Sequence, residues 1–161
     1  MTTTIISCDF DNTQHARALP FLLNEYCKDL LGFSQELPRE SLERLIPGLM
    51  ALPQAFALLA RRGDEFVGFA ICLYGFSTFK GRRLINIHDF GVLPKFRGQG
   101  IGKRILKEIE CIANKNDCCK VTLETQANNT KARSLYESMG FNGQLLDDSA
   151  GQQLFLTKTL G

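Results

Sequence analysis

The chain has 161 residues, 44% of them apolar and 22% charged, and a formal net charge of +2. That length suits one domain with a real core, and that composition excludes a chain that is mostly disordered. So small a charge argues against the concentrated basic face of a nucleic-acid binder, and no apolar run approaches the roughly 20 residues that span a bilayer.

Thr3–Cys8 reads as a first strand. Asp9, Asp11 and Asn12 are suited to cap a helix whose apolar positions include Ala16, Leu19, Leu23, Tyr26 and Leu30, although Pro20 places its true start in question. A second helix starts at Pro38-Arg39-Glu40-Ser41 and ends near Leu45, because Pro47 and Gly48 follow. Ala55–Arg62 and Glu65–Phe76 form a hairpin around Arg62-Gly63-Asp64, and Leu84–Val92 is a further strand. A glycine-rich loop leads into a helix through about Asn114, with Ile101, Ile105, Leu106, Ile109, Ile112 and Ala113 on its apolar face. Lys120–Thr125 is a strand, Thr130–Met139 a helix ended by Gly140, and Gly151–Leu160 a last strand. This order describes a single α+β domain over residues 1–161, with helices on both faces of a sheet.

The cysteines at 8, 27, 72, 111, 118 and 119 show no C-x-x-C spacing for zinc or redox chemistry. Cys72 and Cys111 fall in apolar-periodic segments and read as small hydrophobes. Reduced thiols, and a first segment without a basic region or a long apolar stretch, set the expectation of a cytoplasmic protein without membrane or nucleic-acid partners.

The loop carries the chemistry. Gly98, Gly100 and Gly102 alternate between a predicted strand and a predicted helix. Glycines let the backbone approach an anion closely, and the first turn of a helix presents unpaired N–H groups and a positive dipole end. Arg97 and Lys103 add positive charge. A Walker loop fails at two positions, since Arg97 stands where its first glycine belongs and Arg104 follows Lys103. A Rossmann loop fails because the third glycine comes one residue early.

Val92-Leu93-Pro94-Lys95-Phe96-Arg97-Gly98-Gln99-Gly100-Ile101-Gly102 resembles the acetyl-coenzyme A motif of the GNAT N-acetyltransferase superfamily, Arg/Gln-x-x-Gly-x-Gly/Ala after a strand. Downstream, Asn129-Thr130-Lys131-Ala132-Arg133-Ser134-Leu135-Tyr136-Glu137 and Met139-Gly140-Phe141 are similar to the pattern Asn-x-x-Ala-x-x-Leu-Tyr-Glu-x-x-Gly-Phe of that superfamily. The resemblance runs over Leu84–Phe141 and implies a mixed, mostly antiparallel sheet of about six or seven strands, splayed in the middle, with about four helices. It implies acetyl-coenzyme A as donor, no metal, an amine acceptor, and often a homodimer. By the same resemblance, the main chain of Phe90 and Val92 pairs with pantetheine, and Gly91 marks a bulge that opens the sheet. The N–H groups of Arg97, Gly98, Gln99, Gly100, Ile101, Gly102 and Lys103 hold the pyrophosphate, and Asn129 reaches the pantetheine arm.

Amine acetylation needs a neutral amine, a polarised thioester and a proton for the departing thiolate. Tyr136 is the candidate acid, since a phenol with a pKa near ~10 is protonated at neutral pH. His88 and Asp89 are the candidates for the base, with Glu124 as an alternative. Strand alternation places Asn86, His88 and Phe90 on one face, Ile87 and Asp89 on the other. Phe76-Ser77-Thr78-Phe79-Lys80-Gly81 with His88-Asp89-Phe90 is loosely similar to the spermidine/spermine acetyltransferase branch, which carries an acidic pair where His88-Asp89 stands. The expected activity is acetyl transfer to a small primary amine by direct attack. An acyl-coenzyme A sensor without chemistry, and a peptide or protein acetyltransferase, are the alternatives.

Overall fold

The computed structural model describes residues 2–29, 35–143 and 156–160, and within them the sheet grows in sequence order. Strands β1 (Thr3–Ser7), β2 (Ala55–Arg62), β3 (Glu65–Ser77), β4 (Arg82–Val92) and β5 (Val121–Leu123) lie side by side in that order. The first three pairings are antiparallel, and β4 pairs with β5 in parallel. Helices α1 (Thr13–Asp29) and α2 (Arg39–Met50) come between β1 and β2. Helix α3 (Ile101–Lys115) connects β4 to β5, and α4 (Thr130–Ser138) follows β5. Five strands are described, fewer than the six or seven that the family resemblance implied. Of the expected last strand, residues 151–155 lie outside the described residues, and 156–160 carry no strand.

Side-chain alternation along the strands feeds two cores. One face sends Val67, Ala70, Cys72, Ile85 and Ile87 against Ile101, Ile105, Leu106 and Ile109 of α3. The other sends Leu59, Phe69 and Ile71 against Leu19, Leu22 and Leu23 of α1 and Leu49 of α2. Each large aliphatic side chain taken fully from water stabilises the fold by roughly 1.5–3 kcal/mol before its ordering cost. The stripe on α3 therefore fixes which helix face meets the sheet, and hence where its glycine-rich start points.

Both prolines expected to limit helices are absorbed. Helix α1 starts at Thr13, where Asn12 Oδ1 accepts from the N–H groups of Gln14 (2.9 Å) and His15 (3.2 Å), and Pro20 lies inside it. Helix α2 runs through Pro47 and Gly48 to Met50. Proline there removes one backbone hydrogen bond, but Leu49 beyond it is buried in the α1-side core, and that burial keeps the last turn in place. Cys111, expected to be a buried hydrophobe, lies on the exposed side of α3, whereas Cys72 is buried. Strand β5 is only three residues long, well short of Lys120–Thr125.

Gly68 shows how tightly β3 and β4 sit beneath α3. A Cβ at this position would lie 3.0 Å from the carbonyl oxygen of Gly91 and 3.3 Å from Ile105 and Val92. The nearest obstacle is backbone. Gly68→Ala is expected to destabilise the protein by about 1–3 kcal/mol, read as a lower urea midpoint with an unchanged slope.

Candidate active site

Parallel pairing of β4 with β5 covers Ile85↔Val121, Asn86↔Thr122 and Ile87↔Leu123, and then stops. Asn86 Nδ2 donates to Thr122 Oγ1 at 3.1 Å within this short ladder. Strand β4 continues to Val92, so His88–Val92 run on with β3 on one side and no described strand on the other. Among the described residues, β4 therefore has no strand on that side over the five residues that precede the loop.

A bulge coincides with the split. Ile71 pairs with Asp89 and Cys72 with Ile87, so His88 is the extra residue. This corrects two expectations: the bulge sits at His88 and not at Gly91, and simple alternation does not hold through it. An extra residue shifts the side-chain phase. Ile87 and Phe90 both pack into the α3-side core, Asp89 and Gly91 turn toward α1, and His88 is left exposed. Gly91 has a different reason to be glycine. A Cβ there would lie 3.0 Å from both the Phe69 and Tyr26 rings.

The glycine loop lies just beyond the splayed stretch. Gly98 (φ 74°) and Gly100 (φ 76°) are left-handed, a conformation that side-chain-bearing residues rarely adopt. Gly100 caps α3 without any side chain taking its first-turn N–H groups. Gly102 serves packing, since a Cβ there would press on Leu135 (3.0 Å) and Phe90 (3.1 Å). Several side chains fix the loop. Arg97 Nε donates to the Val92 carbonyl at 2.8 Å, and its guanidinium pairs with Asp29 at the end of α1. Arg62 bonds to Gln99, and Lys95 pairs with Glu65 at 2.6 Å. The Arg97 side chain thus clasps the protein instead of standing free beside an anion. The Lys103 side chain is exposed.

Tyr136 of α4 stands over the opening, its ring 6.1 Å from Phe90 and 6.0 Å from Phe141. Burial, and then the nearby Tyr26 phenol, push its pKa up to about 12. Asn129 caps α4, with Oδ1 accepting from Ala132 N–H at 3.3 Å, so one end of its amide is already engaged. On the α1 side, burial raises the Asp89 carboxyl from its ordinary value, and neighbouring His88 partly offsets this. Burial raises Tyr26 as well, reinforced by Asp89 and Cys27 and opposed by Arg97. Tyr26 was read from the sequence only as part of the apolar face of α1. Nothing in its spacing distinguishes a core tyrosine from one facing a site. Glu124 lies past the end of β5 and is exposed. Among the described residues, no group of three or more metal-ligating side chains comes together.

Residues 19–141 match the acetyltransferase (GNAT) family, and the chain belongs to it. It is thus an N-acetyltransferase by family, with acetyl-coenzyme A as the family's donor. Among its relatives, an uncharacterized N-acetyltransferase of Bacillus subtilis is 30% identical over 80% of this chain and 85% of its own length. The thialysine N-epsilon-acetyltransferase of Bos taurus is 34% identical, over 58% of this chain and 54% of that protein. The N-alpha-acetyltransferase RimI of Mycobacterium tuberculosis is 36% identical, over 57% and 55%. The matches to these last two span about half of each relative. The crystal structure of a ribosomal-protein-alanine N-acetyltransferase from Brucella melitensis shares the fold, with a TM-score of 0.78 at 21% identity over 98% of this chain and all of the other.

The raised carboxyl of Asp89 has a consequence for stability. An acid whose folded pKa lies above its unfolded value near ~3.9 is ionised more readily when unfolded, so stability is lost as pH rises through the folded pKa. Asp89→Asn is therefore expected to raise the urea midpoint at pH 7. The gain over wild type should disappear below about pH 4, where Asp89 is protonated in both states.

Proposed function

We propose that this protein transfers the acetyl group of acetyl-coenzyme A to the primary amine of a small molecule by direct attack. The observation that carries the proposal is the open edge of β4 over His88–Val92, with the glycine loop at its end and Tyr136 and Asp89 beside it. In this reading, main-chain groups of Phe90 and Val92 pair with pantetheine amides. The N–H groups from Arg97 to Lys103 bind the pyrophosphate, with Gly98 and Gly100 allowing close approach. Tyr136 faces the departing sulfur, and Asp89, with its raised pKa, receives the proton of the attacking ammonium. Exposed His88 sits at the mouth and contacts the acceptor rather than the thioester.

A small acceptor is favoured by a partly buried carboxylate with no cationic partner among the described residues, which suits a compact ammonium group. The likeness to the thialysine enzyme points the same way. Transfer to a peptide or protein α-amine is the second reading, supported by the relative named as an N-alpha-acetyltransferase. Reduced thiols throughout suit a cytoplasmic setting for either activity.

The test is thiol release from acetyl-coenzyme A in the presence of thialysine, lysine, 1,4-diaminobutane or a short peptide with a free α-amine, with products identified by mass spectrometry. Transfer to the small amines supports the first reading, and transfer to the peptide alone supports the second. Tight coenzyme A binding by calorimetry without any turnover would make the protein a sensor. With an active amine, Tyr136→Phe is expected to lower kcat about 10- to 100-fold while leaving the Kd for coenzyme A within about twofold.

A further inference from the structure

Strand β4 is flanked at its splayed stretch by two tyrosines, one on each face. On the α3 and α4 side, Tyr136 packs on Phe90 and Phe141. On the α1 side, Tyr26 lies on Gly91 and meets the Phe69 ring edge-on at 5.9 Å. Phe90 and Gly91 are neighbours, so both rings address the same point of the strand from opposite sides. Asp89 turns toward α1 beside Tyr26 and Cys27.

Tyr26, Asp89 and Tyr136 share a second property. All three are half-buried, and none of their side chains makes a hydrogen bond to another described residue. None has a polar atom sealed away from open space without a partner. Three polar groups around one strand position, each open to space and without a side-chain hydrogen bond to another described residue, are available to a ligand. Tyr136 is already assigned to the sulfur, which leaves the α1-side pair.

We propose that Tyr26 is an acceptor-binding residue: its phenol oxygen and the Asp89 carboxylate accept N–H hydrogen bonds from the incoming amine and hold it against the open edge of β4. This rests on the acetyl-transfer reading above. Once Asp89 has taken one proton of the ammonium, the neutral amine turns its lone pair to the thioester, while the phenol oxygen and the carbonyl oxygen of the Asp89 carboxyl accept its two remaining N–H groups. A neutral phenol can serve this role at every physiological pH, since burial keeps Tyr26 protonated. The specificity that follows is for an unhindered primary amine. A secondary amine has an N–H for only one of the two acceptors, and a tertiary amine has one for neither.

Tyr26→Phe keeps the ring on Gly91 and removes only the hydroxyl. In steady-state assays with thialysine, the variant should raise the KM for the amine about tenfold, with the KM for acetyl-coenzyme A and the Kd for coenzyme A unchanged. A merely structural tyrosine would not divide the two substrates in this way. Tyr74→Phe, the third tyrosine of the chain, should leave every one of these parameters as in wild type. A wild-type enzyme that acetylates thialysine, with an unchanged amine KM in Tyr26→Phe, overturns the inference and leaves the proposed function standing. Thialysine binding to coenzyme A-loaded protein, read by calorimetry, gives a measure without turnover. Weaker binding by Tyr26→Phe without acetylation by wild type would keep the subsite and remove the proposed function. Equal binding by both proteins, or none by wild type, would overturn the subsite.

Discussion

The site depends on one constraint: β4 must keep β3 along its whole length while losing β5 after Ile87. The bulge at His88 produces that geometry. It turns Phe90 into the space beneath α3 and α4, where Leu135 and Tyr136 receive it, and Gly102 has no side chain to occupy that space. A strand edge left without a partner carries backbone groups that still need hydrogen bonds. A cofactor arm bearing amides is the kind of ligand that can complete the ladder. This edge, without a strand partner among the described residues, is thus a source of affinity in the proposed complex.

The second element is a loop held in shape before any ligand arrives. Arg97 ties the end of β4 to the end of α1, Gln99 is tied to β2 through Arg62, and Lys95 to the start of β3 through Glu65. These pairs are about half exposed, and each taken alone contributes little to stability. Their effect is geometric. They fix both shoulders of a loop whose two left-handed glycines would otherwise be free to reorient. Preorganised N–H groups lose less entropy when they close on an anion. Arg97 contributes by shape more than by charge, since Asp29 sits against its guanidinium.

Much of this was legible in the sequence because it rests on local signals. Alternating apolar residues located β2, β3 and β4, the 3.6-residue stripe located α3, and the glycine spacing located the loop. The parts that were not legible are set by tertiary packing. Ile87 and Phe90 share a face only because β3 offers one residue fewer than β4, and no feature of Asn86-Ile87-His88-Asp89-Phe90 announces which residue will be extra. Gly91 was assigned to the bulge when its real constraint is the approach of Tyr26 and Phe69, two residues far away in the chain. Pro47 reads locally as a helix end, and the burial of Leu49 overrides it. Tyr26 was hidden for the same reason: a helical stripe shows which residues face inward, not what they find there.

The environment of Tyr136 also refines what its hydroxyl can do. A thiol has a pKa near ~8.5, and a phenol held at about 12 is a much weaker acid. Complete transfer of the Tyr136 proton to a free thiolate would be uphill by roughly 5 kcal/mol. The phenol is better suited to donating a strong hydrogen bond to sulfur while negative charge builds there, in a half-buried setting where that bond is worth more than in water. The proton balance of the reaction supports this. Neutral amine and thioester give amide and thiol, so the proton lost by nitrogen is the one sulfur finally needs. In the proposed mechanism the Asp89 carboxyl, raised by burial, holds a proton more readily than an ordinary aspartate and releases it more easily than a phenol. The two faces of β4 therefore divide the work in the proposed mechanism: neutral Tyr136 donates to the leaving sulfur, and Asp89 takes the proton of the amine.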